Sequence, residues 1–214
     1  MRNIEKDEIE MTAKREAMLE KGFELFSKKG IEAVAMQEVA NACSVGIATL
    51  YRYYNNKLSL VIDIATRQWQ DYIGHINNLR KERNAEGMSA AQEFDFYLDF
   101  YIDLYKNHKD LLRFNQDFNN YVQHENAGRE QLKPYLQSIG EVAALFHGVY
   151  EKGKTDGTLR TDLSEEKMFA ATSHIMLAVA VRYAQGLLYS RNEADRTEEF
   201  LLLKQMILNE YVVR

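Results

Sequence analysis

Apolar residues recur with a helical period along most of this chain. Leu19, Phe23 and Phe26, assisted by Met18 and Leu25, form one stripe, with Thr12 as N-cap before it and Gly30 as the C′ residue after it. Met36, Val39, Ala40 and Cys43 form a shorter face at i, i+3, i+4 and i+7. Leu50 and Tyr54 repeat the spacing, with Ile47 and Tyr51 at its edges. Ser44-Val45-Gly46 between the two faces is a turn signal, and either Ser44 or Gly46 is available to cap the second helix. Asn55 or Asn56 then caps a long helix from Lys57 into the low eighties. Further helices are predicted over about 89–106, 109–122, 130–152, 164–190 and 196–212, with Ser164 capping the fourth of these. Residues 1–10, polar and mixed in charge, read as a flexible arm. The predicted fold is all-α, with residues 1–57 as a three-helix domain and residues 58–214 as a larger helical domain.

Two short helices joined by a turn of three or four residues make a helix-turn-helix, whose second helix enters the DNA major groove. Charge agrees locally. No acidic residue occurs from Val39 to Ile62, whereas Arg52 and Lys57 are present; carboxylates there would repel phosphates. The net charge of −5 does not oppose this, because residues 1–60 hold nine Lys/Arg and nine Asp/Glu and the acidic excess lies beyond them. Lys57 opposes the positive end of its own helix dipole, a placement that makes sense if an anion docks there. The alternative is a helical hairpin in a core that merely lacks acids.

Other chemistry is poorly supported. The single cysteine excludes an intrachain disulfide and a cysteine zinc site. His75, His108, His124, His147 and His174 show no metal-ligand spacing with one another or with Cys43, so no metal and no cofactor is expected. There is no glycine-rich phosphate loop and no nucleophile elbow, which leaves a helical enzyme or small-molecule binder without a DNA role as the alternative reading. A pure protein-interaction module would not explain the acid-free turn. No apolar run is long enough for a membrane span and the N-terminus lacks a signal-peptide core, so a cytoplasmic location is expected.

The later segment is rich in rings. Phe94, Tyr97, Leu98, Tyr101 and Tyr105 share one helical face and Phe96 and Phe100 lie opposite, so that helix is expected at the centre of its domain. Trp69, Tyr72, Phe100, Phe114, Phe118, Tyr121, Phe146 and Tyr150 are the candidates to line a small-molecule cavity, if they do not simply fill the core. The runs Ile175–Val181 and Phe200–Leu203 lack a polar face and need cover on two sides, expected from their own domain and from a second copy of the chain. Ile175, Val179, Arg182, Tyr183, Phe200, Leu203 and Ile207 are the candidates for such a homodimer interface.

From Gly30 to Leu60 the chain resembles the DNA-binding domain of the TetR family of bacterial transcriptional regulators. The resemblance rests on Gly30 closing helix 1, Val39-Ala40 in helix 2, Thr49-Leu50-Tyr51 in helix 3, and Tyr54 shortly before Lys57. It implies a homodimer bound to duplex DNA, more often as a repressor, and an unknown small-molecule effector that changes the separation of the two DNA-binding heads. It also implies a dimeric four-helix bundle built from the last two long helices. By helix geometry and the family's pattern, Thr49 and Arg52 face the groove, and Tyr51, Tyr53 and Lys57 match phosphate-contacting positions. Gly46, Ile47 and Ala48 complete the expected DNA-binding set. Ala35 stands where the family usually has Thr, Ala48 where Gly is frequent, and Ile47 where a polar residue is common. Ser44 and Gly46 reverse the family's usual Gly-then-Ser order.

Overall fold

The computed structural model describes residues 4–186 and 195–213. The helices are α1 (Ile4–Lys29), α2 (Met36–Ala42), α3 (Ile47–Tyr53), α4 (Lys57–Glu82), α5 (Ala90–Asn107), α6 (Lys109–His124), α7 (Arg129–Asp156), α8 (Glu165–Gln185) and α9 (Thr197–Tyr211). A 3₁₀ turn, Ala85–Gly87, joins α4 to α5. Among the described residues the one β-type pairing is an isolated bridge between Leu159 and Val212, and no helix is long and apolar enough to cross a membrane.

Three helix ends differ from expectation. α1 begins at Ile4, so Thr12 lies inside it and residues 4–11 are helical rather than an arm. Polar i,i+4 pairing supports such a turn without an apolar stripe, as between Lys14 and Glu10 at 2.7 Å. Residues 1–3 of the expected arm lie outside the described residues. α7 continues to Asp156, where Gly157 at φ 68° ends it. α8 stops at Gln185 before Gly186 at φ 87°, and the expected continuation over 187–190 lies outside the described residues. Ser164 does occupy the N-cap of α8, but its hydroxyl accepts no capping hydrogen bond.

Contacts divide the chain into two compact units, one of residues up to 70 together with 114–137, the other of residues 71–113 and those from 138 on. In the first unit α1 packs closely on α4: a Cβ on Gly22 would sit 2.6 Å from Ile64 Cδ1. Gly30 at φ 89° turns the chain out of α1, its amide still bonded to the Phe26 carbonyl at 2.9 Å. Asp117 on α6 then accepts the Ile31 amide. Phe114 meets Phe23 edge to face at 5.4 Å, and Phe118 lies 4.6 Å from Tyr135. Trp69 and Tyr135 both donate to Asn115 Oδ1, at 3.1 and 3.0 Å.

The second unit is organised around α5, buried on nearly every side as its apolar pattern predicts, against α8 and α9. Phe146 meets both Phe94 and Tyr97 edge to face, and Tyr97, Tyr101 and Ser173 join their hydroxyls at 2.9–3.3 Å. Deep in the same unit, the buried carboxylate of Glu93 receives Arg80 and Lys152.

Candidate nucleic-acid interface

The helix-turn-helix forms where the apolar faces predict it. Val39, Ala40 and Leu50 are fully buried, and Met36 and Tyr54 nearly so. Tyr54 donates to Asp63 Oδ2 at 2.7 Å, and Arg15 reaches the same oxygen at 2.8 Å, so the end of α3 is tied to α4 and α1. Burial, then the bond to Asp63, pushes the Tyr54 phenol well above its usual range. Asp63 lies just beyond the acid-free stretch and sequence reasoning passed over it; its one signal was the spacing to Tyr54 across a helix start. Asn56, one of the two candidates, is the cap of α4: its Oδ1 accepts the Ser59 amide at 2.8 Å.

The turn itself resolves the unusual Ser-then-Gly order. The Val45 amide bonds to the Ala40 carbonyl and the Ser44 amide to that of Asn41, each at 3.0 Å, which is the Schellman pattern. Ser44 takes the left-handed position at φ 53°, where glycine costs less. Gly46 takes the N-cap of α3 at φ −70° and ψ 147°, where a hydroxyl would be of use and none is present. Each residue stands where the other fits better. A Ser44→Gly, Gly46→Ser double variant is therefore expected to be more stable by about 1 kcal/mol, a gain of roughly 2–4 °C in melting temperature. A Cβ on Gly46 meets nothing within 4 Å, so the swap introduces no clash. An unchanged or lower melting temperature would refute it. At the start of α2, Ala35 supplies no side-chain cap, but Glu38 accepts the Ala35 amide at 3.1 Å and pairs with Lys29 at 2.8 Å. Lys29 first, then the Ala35 amide, hold the Glu38 carboxyl below its usual range.

The expected DNA-binding residues differ in exposure. Gly46, Ala48, Tyr51 and Arg52 are exposed, while Ile47, Thr49 and Tyr53 are half-buried. Arg52 Nη2 donates to Thr49 Oγ1 at 3.3 Å, so the two groove candidates already point together. Lys57 behaves differently from a freely swinging lysine. Its Nζ donates to the Glu32 carbonyl at 3.2 Å and lies over Phe26 and Tyr121 at 5.9 and 5.6 Å. Partial burial lowers its pKa. Among the described residues that carbonyl is its one hydrogen-bond partner, so the ammonium keeps donor capacity for an anion.

The other candidates distribute less simply. All eight aromatic candidates are buried, but Trp69, Phe114, Phe118 and Tyr121 belong to the first unit and Tyr72, Phe100, Phe146 and Tyr150 to the second. Tyr72 donates to the Phe100 carbonyl at 2.6 Å and Tyr150 to the Leu163 carbonyl at 2.6 Å. A cleft of about 590 Å³ in the second unit is lined by other residues, among them Phe96, Asp95, Asp99 and Leu208. Of the interface candidates, Ile175 and Arg182 are exposed, and Val179, Tyr183 and Leu203 are half-buried. Phe200 and Ile207 point into their own unit. The large apolar side chains that α9 exposes are Leu201, Leu202 and Met206; the first two belong to the apolar run read from sequence, but none of the three is among the seven interface candidates.

α3 carries no carboxylate and exposes Ala48, Tyr51 and Arg52, which suits the second helix of a helix-turn-helix for lying against DNA. Residues 18–64 match the model of bacterial regulatory proteins of the tetR family. An HTH-type transcriptional regulator of Staphylococcus aureus (strain MRSA252) is 25% identical over 159 residues, covering 74% of this chain and 77% of the relative. The same fold occurs in a putative transcriptional regulator from Saccharomonospora viridis in complex with choline, at TM-score 0.74 and 14% identity over 95% of this chain and 100% of that one. It occurs also in FadR from Bacillus subtilis in complex with stearoyl-CoA, at TM-score 0.67 and 13% identity over 90% and 95% of the two chains. The family model and the curated relative are both of transcriptional regulators.

Proposed function

We propose that this regulator is a repressor that binds a palindromic operator as a homodimer and is released by a small molecule. Residues 1–57 carry DNA binding, residues 58–214 carry effector binding and dimerisation, and the protein acts in the cytoplasm. The observation that carries the reading is the exposed face of α3, where Arg52 is held by Thr49 beside Tyr51 with no carboxylate on the helix. Arg52 is the α3 side chain suited to bidentate pairing with guanine. Tyr51, Tyr53 and Lys57 serve the phosphates, Ile47 is placed for a thymine methyl, and Ala48 holds the backbone slightly farther from the DNA than a glycine would. Release by a small molecule is supported by choline and stearoyl-CoA in the two structures of the same fold. Among the aromatic candidates, Tyr72, Phe100, Phe146 and Tyr150 share one unit, and a ligand reaches them by displacing packed rings.

Selection from random duplex DNA tests the proposal. The expected result is a two-fold symmetric sequence whose half-sites lie about 34–36 Å apart, one helical turn. Enrichment of asymmetric sequences, or of none, would overturn it. On the selected site, Arg52→Ala is expected to cost roughly 1–3 kcal/mol and to relax preference at a single base pair. Uniform weakening on all sequences would instead make Arg52 a phosphate contact.

A further inference from the structure

We propose that His75, Asp103 and His108 form a binding site for one divalent transition-metal ion of zinc type. His75 comes from the second half of α4, Asp103 from α5, and His108 caps the end of α5, so all three belong to the second unit. Their ligand atoms lie within 4.8 Å of one another. Asp103 Oδ2 is 3.5 Å from His108 Nε2 and 3.8 Å from His75 Nε2. A four-coordinate ion with bonds of about 2.0–2.1 Å holds its ligand atoms roughly 3.3–3.5 Å apart. The half-exposed His75 side chain has room to close the remaining gap.

The carboxylate is aimed at the imidazoles. Asn107 donates to Asp103 Oδ1 at 2.7 Å, which fixes the group and leaves Oδ2 facing the two rings. Oδ2 is buried, with the Tyr72 phenol beside the carboxylate and the two imidazole nitrogens as its nearest cationic partners, a setting that a cation between the three groups would stabilise. Protonating both imidazoles, 5.9 Å apart by ring centroid, would set two like charges side by side, whereas one metal ion engages all three groups. Tyr72 closes one side, its ring edge-on to His108 at 5.0 Å. Two imidazole nitrogens with one carboxylate oxygen suit zinc, cobalt, nickel or ferrous iron, and not the hard calcium or magnesium ions, which prefer all-oxygen shells. Three protein ligands leave a coordination position open for water or for an acidic group of a bound molecule. Sequence spacing is silent here because the helices, and not a local motif, gather the ligands.

A second group, His147, Glu151 and Glu165, serves as the internal control. It lies at the surface with its members already paired, His147 to Glu165 at 3.0 Å and Glu151 to Lys154 at 2.6 Å. The test titrates chelator-treated full-length protein with Co²⁺, followed by visible absorption, and with Zn²⁺, followed by calorimetry. The expected result is one equivalent per chain, ligand-field bands of a nitrogen- and oxygen-ligated ion, and a melting temperature raised by Zn²⁺. His75→Ala and His108→Ala are each expected to weaken binding by about 100-fold or more, at or beyond the effect typical of an outer-shell partner, with circular dichroism unchanged. His147→Ala is expected to bind as wild type. Absence of stoichiometric binding overturns the proposal. So does binding that survives His75→Ala and is lost in His147→Ala.

Discussion

A Leu202→Asp, Met206→Asp variant is expected to sediment as a monomer and to lose operator binding, although its DNA-binding residues are untouched. Leu202 and Met206 are 64% and 61% exposed on α9, and Ile175 on α8 is 46% exposed. α8 and α9 pack against each other within the second unit, and large apolar surface of this kind usually marks an association site. In the proposed homodimer each aspartate would be buried without a partner in both subunits, at a cost of several kcal/mol. The isolated chain does not bury these side chains, so the monomer should fold and keep its helix content. Losing the second head removes the avidity of a two-site complex, and affinity for the palindrome should fall by about 10²–10⁴-fold. Sedimentation and binding to the selected operator are the two readouts. A variant that remains dimeric would place the interface elsewhere. Phe200→Asp makes the contrast: Phe200 is fully buried in its own unit, so that change should unfold the domain and not merely dissociate the subunits.

Glu93→Ala is expected to destabilise the second unit by about 3–5 kcal/mol, the usual cost of removing one partner from a buried ion pair. The Glu93 side chain is 3% exposed and pairs with Arg80 and, at 2.5 Å, with Lys152. Lys152 Nζ also lies 3.2–3.3 Å from the carbonyl oxygens of Ala85, Glu86 and Met88, which share its two remaining protons, so it clasps the 3₁₀ turn between α4 and α5. Arg80 Nη1 is buried and without a partner among the described residues, which leaves Glu93 as the countercharge that makes the arrangement tolerable. Urea unfolding followed by circular dichroism measures the effect. A loss under about 1 kcal/mol would mean that water reaches the two cations once Glu93 is gone. Replacing Glu93, Arg80 and Lys152 together by apolar residues should recover much of the loss, because no charge is then left unpaired.

Elements governed by neighbours a few residues away were legible from the chain alone. α2, α3 and the start of α4 lie where period, turn residues and the Asn56 cap predict them, because capping and amphipathic spacing act over one or two turns. The aromatic pattern of α5 announced a central helix for the same reason. The start of α1 was misread because charged i,i+4 pairs sustain a helix that shows no apolar stripe.

The helical class, the helix-turn-helix and the absence of carboxylates from its second helix were legible in the chain alone. Only the tertiary structure decided which partner each apolar stripe meets. It set Phe114 against Phe23 and Tyr121 beneath Lys57, turned Phe200 and Ile207 inward, and left Leu202 and Met206 on the surface. It also brought His75, Asp103 and His108 to one point. A hydrophobic period states that a face will be buried, but hydrophobic attraction has no direction and does not name the surface that buries it. Contacts between residues distant in the chain follow from how whole helices pack, and no local spacing encodes that.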